Sequence, residues 1–78
     1  MNSILKERRQ HMQEPLKITL AAARVNAGMT QKDVCKIMKI TPQTLVKWEK
    51  NKKLPKPAEL MMLCTIYGID LDNIFLPS

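Results

Sequence analysis

The sequence predicts an all-α fold, a compact bundle of about five short helices, and three observations point to it. Apolar residues recur at intervals of three and four rather than two, the spacing of a helix face. Threonine, proline or aspartate stands before each of these runs, and glycine or asparagine follows most of them, as at helix starts and stops. One Trp, one Tyr and one Phe in 78 residues, with little alternation of β-branched side chains, leave no competing strand pattern.

Each element has its own signal. Residues 1–14, "MNSILKERRQHMQE", are polar and basic and read as a flexible arm or frayed helix that Pro15 closes, with Met12 as a second candidate start. The folded domain then occupies residues 15–78. Thr19 caps a first helix, "LAAARVNA", that Gly28 ends, since glycine enters the left-handed conformation freely. Thr30 caps a second, "QKDVCKIM", with Asp33 at the third position in a capping-box arrangement that also suits the helix dipole. Thr41 caps a third, "PQTLVKWEK", whose Pro42 occupies the first helical position, where its missing N–H costs nothing. That helix ends near Asn51. "NKKLPKP" is a loop, Pro57 opens a fourth helix, "PAELMMLCTIY", and Gly68 stops it. Asp70 caps a last short helix around "LDNIF".

Composition narrows the classes of function. A chain of this size buries roughly 60–65% of its unfolded surface, which gives an adequate but modest core. An apolar content of 45% with only two glycines argues for a folded chain. No apolar run approaches the ~18 residues of a membrane span and no signal-peptide pattern precedes a cleavage site, so a soluble, cytoplasmic protein is expected. Cys35 and Cys64 lack a CxxC partner and the lone His11 is distant, so no zinc site is expected, and both cysteines read as small core residues. No nucleophile–base pair exists, so an enzyme is not expected, nor a cofactor or small-molecule ligand.

Charge is distributed unevenly. Residues 30–56 hold eight Lys against two acids, whereas residues 57–78 hold three acids and no Lys or Arg. A basic middle and an acidic end suit a domain with one side turned to a polyanion, although a solvated surface reads the same way. The basic stretch also carries an apolar skeleton. Val34 and Met38 share one face of the second helix, Leu45 and Trp48 one face of the third, and Ile40 sits at the corner between them. The three residues Lys39, Ile40 and Thr41 turn the chain sharply, and small Cys35 lets the two helices approach. The apolar set holds the two helices together and leaves the lysines outside. In the fourth helix Leu60, Leu63, Cys64 and Tyr67 form a core stripe, with Met62 outside it.

"AAARVNAGMTQKDV", "ITPQTLVKWEKNKKLPKP" and "LCTIYGIDLDNIF" together resemble the helix-turn-helix of the Cro/CI-type phage repressors, the XRE family of bacterial regulators. The resemblance runs from about Leu16 to Leu76 and implies a lambda-repressor-like DNA-binding domain. One position departs from it. The family usually has Gly in the turn where this chain has Lys39, so either the turn is rearranged or a non-Gly residue sits at positive φ at a cost of about 1 kcal/mol.

The resemblance implies that the helix at about 42–50 lies in the major groove and turns Thr41, Pro42, Gln43, Thr44, Val46 and Lys47 toward base edges. The chemistry is suitable. Gln43 can pair with adenine N6/N7, Lys47 can donate to guanine O6/N7, and Val46 or the Thr methyls can meet a thymine methyl. The competing reading of Gln43 and Thr44 is ordinary solvated helix surface. Gln31 and the lysines Lys50, Lys52 and Lys53 are expected at phosphates, with screened surface charge as the alternative for the lysines. Arg24 and Glu49 are expected as a partly buried ion pair that sets the angle of the reading helix, rather than as solvated charges. Met62, Ile74, Phe75 and Leu76 are candidates for an exposed apolar dimer contact. The expected partner is double-stranded DNA with a palindromic operator, bound by a weak or DNA-assisted homodimer. The expected function is sequence-specific transcriptional regulation, as a repressor. The alternative is a protein-interaction module on the same fold, such as an antitoxin or a repressor partner.

Overall fold

Helices of seven to eleven residues do not persist alone in water, so each helix here depends on its caps and on its neighbours. The computed structural model describes residues 17–76. Residues 1–16, which include the expected N-terminal arm and Pro15, and the last two residues lie outside that range. The elements are α1 (Leu20–Asn26), α2 (Gln31–Met38), α3 (Pro42–Glu49), α4 (Pro57–Tyr67) and a 3-10 turn at Leu71–Asn73.

The helix starts follow from local chemistry. The Thr19 hydroxyl accepts the Ala22 N–H at 3.1 Å, and the Thr41 hydroxyl accepts the Thr44 N–H at 3.2 Å. At α2 the box is reciprocal: Asp33 N–H donates to Thr30 Oγ1 at 3.0 Å, and Thr30 N–H donates to the Asp33 carboxylate at 2.9 Å. That backbone hydrogen bond holds the Asp33 carboxyl below its ordinary pKa. At α4 the Lys56 N–H donates to Glu59 at 2.8 Å.

The four α-helices among the described residues end the same way. A residue at positive φ reverses the chain, and the next N–H donates five residues back. The reversing residues are Gly28, Lys39, Asn51 and Gly68, and the bonds run from Met29 to Arg24, Ile40 to Cys35, Lys52 to Lys47 and Ile69 to Cys64. Asparagine tolerates this conformation and glycine adopts it freely. Lys39, at φ 58° and ψ 47°, does neither, yet the turn keeps its left-handed geometry. The rearrangement that was one expectation for Lys39 does not occur. The Ile40 N–H bond and burial of the corner outweigh a penalty of about 1 kcal/mol.

Leu20 and Ala23 of α1, Val34 and Cys35 of α2, Leu45 and Trp48 of α3, and Leu60, Leu63, Cys64 and Tyr67 of α4 form one core. Met38 and Ile40 pack against it half-buried, as does Met29. The end of the chain departs from the sequence expectation. Asp70 makes no side-chain cap, the helix is only a single 3-10 turn, and Ile74 is already extended. There it forms a parallel bridge with Ile18: Ile18 N–H donates to Asn73 O at 2.9 Å and Phe75 N–H to Ile18 O at 2.8 Å. Extended residues alternate sides. Ile74 therefore points inward and is 4% exposed, while Phe75 points outward and is 48% exposed. Leu76 turns back against the core, half-buried. Of the apolar candidates at this end, Ile74 is thus a core residue and unavailable for a surface contact, Leu76 is partly covered, and Phe75 is the exposed one, because the chain is extended beyond Asn73.

Lys39→Gly should stabilise the domain by about 1 kcal/mol, because only glycine enters this conformation without a Cβ penalty. Thermal melting should show a rise of about 4–8 °C for a domain of this size. Lys39→Ala should give no comparable gain, and an equal rise from both would locate the effect in the charge instead.

Candidate nucleic-acid interface

The α3 helix has two distinct sides. Leu45 and Trp48 are 0% and 2% exposed, whereas Pro42, Gln43 and Lys47 stand in solvent. Thr44 and Val46 are half-buried between these sides, and Thr41 is exposed at the helix start. The threonine hydroxyls are already engaged. Thr41 Oγ1 accepts the Thr44 N–H, and the two hydroxyl oxygens lie 2.9 Å apart. Gln43 and Lys47 are therefore the side chains of this set whose polar groups are free of hydrogen bonds to the described residues.

Beyond α3 the chain folds back on itself. Lys52 N–H and Lys53 N–H both donate to Lys47 O, at 2.8 and 3.3 Å. This brings the exposed Lys47, Lys50, Lys52 and Lys53 around one helix end, where they build local positive potential. Lys32, Lys36 and Lys39 are also exposed, along α2 and its turn.

A second cluster ties the elements together. Arg24 Nε donates to Glu49 Oε2 at 2.8 Å, with side chains 14% and 7% exposed. Arg24 Nη1 donates to the Met29 carbonyl at 2.9 Å, and Nη2 reaches Glu49 Oε1 at 3.5 Å. Gln31 Nε2 donates to the same Glu49 Oε1 at 3.0 Å. One carboxylate thus joins α1, the start of α2 and the end of α3. The hydrogen bond to Glu49 raises the Arg24 pKa further above its already high value, against the cost of burial.

Tyr67 of α4 sits within the field of this pair. Burial pushes its phenol up to about 12, and the Glu49 charge adds to the shift. Among the described residues its hydroxyl has no hydrogen-bond partner. Cys35 and Cys64 are free, buried thiols, each raised in pKa chiefly by burial.

Two features of the cluster lay outside the sequence reading. Gln31 was expected only at a phosphate, and its link to Glu49 spans 18 residues with no local signal. Tyr67 was expected only as apolar core, and the periodicity that placed it says nothing about its hydroxyl. An open groove between α4 and the 3-10 turn, lined by Met61, Thr65, Ile69 and Leu71 among others, carries Asp70 as its charged residue. Among the described residues no three His, Cys, Asp or Glu side chains gather to hold a metal, and no helix is long and apolar enough to cross a membrane.

Two short helices, α2 and α3, joined by the three residues 39–41 and packed on a shared core, with the second presenting polar and basic groups outward, have the form of a helix-turn-helix. Residues 20–74 match the helix-turn-helix family, and the chain belongs to it as a Cro/CI-like protein of XRE type. That family consists of DNA-binding regulators. No curated protein and no solved structure matches the chain.

Glu49→Gln should cost about 3 kcal/mol, because it leaves a nearly buried Arg24 without its counter-charge. Lys52→Ala removes only a screened surface charge and should leave the melting temperature close to that of the parent. Equal shifts in a melting experiment would mean that the pair contributes nothing beyond a surface contact.

Proposed function

We propose that this protein is a sequence-specific repressor that reads the major groove with α3. The observation that carries the reading is the division of α3 itself, with Leu45 and Trp48 sealed in the core and Gln43 and Lys47 free. Gln43 is suited to adenine and Lys47 to guanine, while Val46 and Pro42 offer apolar contact to a thymine methyl. Thr41 and Thr44 flank these groups. The lysines Lys50, Lys52 and Lys53 supply sequence-independent attraction to phosphates.

If about five or six phosphates are neutralised, log K should fall with log salt at a slope near −5. Gln43→Ala should lose about 1–3 kcal/mol on the preferred site and relax one base pair, whereas Lys53→Ala should weaken every duplex alike. Selection of bound sites from random duplex DNA, followed by titration of both variants, provides the test. A flat salt profile, or equal sequence-blind losses from both substitutions, speaks against the reading.

One α3 contacts too few base pairs to discriminate against a genome, which favours a two-fold dimer on a palindrome. Residues 57–78 carry no Lys or Arg, and Met62 and Phe75 are half exposed there at 49% and 48%. We place the dimer contact at these two side chains. Met62→Lys should leave the melting temperature unchanged but abolish cooperative binding to the selected palindrome. Sedimentation showing one protomer per full site, or full cooperativity in this variant, would refute the contact.

The same exposed apolar side chains, with Met61 and Leu71 beside them, support a second reading: a protein-interaction module that uses the fold without reading bases. Steep salt dependence with a preferred sequence separates the first reading from the second.

A further inference from the structure

The groove between α4 and the 3-10 turn has a volume of about 340 Å³. Met61, Ile69 and Leu71 give it apolar walls, and Met61 and Leu71 are 63% and 50% exposed. Thr65 donates its hydroxyl to Met61 O at 3.0 Å, so it adds no free donor. Asp70 is the charged lining residue, and Asp72 is exposed just beyond Leu71. Neither carboxylate has an ion-pair partner among the described residues, and residues 57–78 contain no Lys or Arg. A groove this small and open cannot enclose a small molecule, most of whose surface a binding pocket covers. It suits a few apolar side chains accompanied by positive charge.

The place where the chain enters the fold narrows the choice of occupant. Ile18 and Ile74 form a parallel bridge, closed by the hydrogen bonds of Ile18 with Asn73 and Phe75. Parallel pairing sets the residues before Ile18 alongside those before Ile74, which are the turn Leu71–Asn73. Residues 1–16 therefore join the described fold beside the wall of the groove. Their sequence has the matching chemistry. Ile4 and Leu5 are followed at once by Lys6, Arg8 and Arg9, against the single acid Glu7. The chain from Leu5 to Lys17 can span up to ~40 Å, so reach is not limiting. A segment tethered at this range acts at an effective concentration on the order of millimolar. Weak intrinsic affinity is then enough, and at micromolar protein the chain's own segment outcompetes that of a second copy.

We propose that residues 4–9 dock in the groove of their own chain, with Ile4 and Leu5 against Met61, Ile69 and Leu71 and the cations toward Asp70 and Asp72. The inference stands apart from the DNA-binding reading. It gives Met61 and Leu71 a partner within the chain, and leaves Met62 and Phe75 as the apolar surface open to another protein.

The test uses NMR on the full chain. The methyl groups of Ile4 and Leu5 should show nuclear Overhauser contacts with Met61, Thr65 and Leu71. A mixture of isotope-labelled and unlabelled protein should show none of these contacts between copies. Met61→Asp should remove them while melting temperature and Trp48 emission stay unchanged, because Met61 is exposed and outside the core. Leu5→Asp should remove the remaining contacts of Ile4 in the same way.

A second measurement needs no assigned spectrum. Trypsin cleavage after Arg8 and Arg9 tracks the population of the undocked segment, and should be about fivefold faster in Met61→Asp than in the parent. Added salt should narrow that difference, because it screens the contacts to Asp70 and Asp72. Full-chain spectra with no contact between residues 4–5 and the groove would overturn the inference, as would equal cleavage rates in the two proteins. Contacts found only between labelled and unlabelled copies would overturn it too, and would assign the groove to the segment of a second copy.

Discussion

The carboxylate of Glu49 is the point on which the arrangement of the other helices depends. Short helices with a modest core have few ways to fix the angle of any one of them, and apolar packing alone permits sliding and rotation. A charged hydrogen bond does not, because its strength falls steeply with distance and angle. Glu49 ends α3, accepts from Arg24 of α1 and from Gln31 of α2, and Arg24 in turn binds the Met29 carbonyl between those helices. The outer face of α3 is held at a defined angle because its C-terminal end is tied in two directions and its N-terminal end is tied by the turn.

Such a tie has a cost. Both charged side chains are largely removed from water, and burial of an ion pair returns little net stability. On α4 the Tyr67 hydroxyl is also buried near both charges, without a hydrogen bond among the described residues. A core of aliphatic side chains in these positions would bury the same area with no polar group left unmatched. Geometry is what the charges add here, and geometry is what a helix needs if its side chains are to meet base edges in register.

The turn and the helix ends follow a related logic. Each α-helix stops on a left-handed residue followed by a bond five residues back, so the chain reverses within two residues and the next element starts close by. That economy keeps the domain small. At Lys39 it is achieved with a residue poorly suited to the conformation, and the lysine adds one more positive charge to α2 and its turn. Charge and packing are thereby separated by side rather than by segment: lysines surround the outer faces of α2 and α3, and their inner faces hold Val34, Leu45 and Trp48.

The sequence by itself determined the approximate spans of α1 to α4, their threonine caps and most of the core, because each depends on residues three or four apart. Thr30 with Asp33, Thr41 with Pro42, and the stripe from Leu60 to Tyr67 are signals of that range. Arg24 and Glu49, 25 residues apart, were legible only through the family resemblance, since no local pattern links them. Only the tertiary structure decided the rest. Ile74 turned inward because Ile18, from the far end of the domain, pairs with it as a strand would. The Gln31 amide turned toward a carboxylate 18 residues away. The Tyr67 hydroxyl met the field of a pair on two other helices, and Lys39 kept a conformation its own preferences oppose. In each case the deciding partner is distant in sequence, and a periodicity read along one element does not contain it.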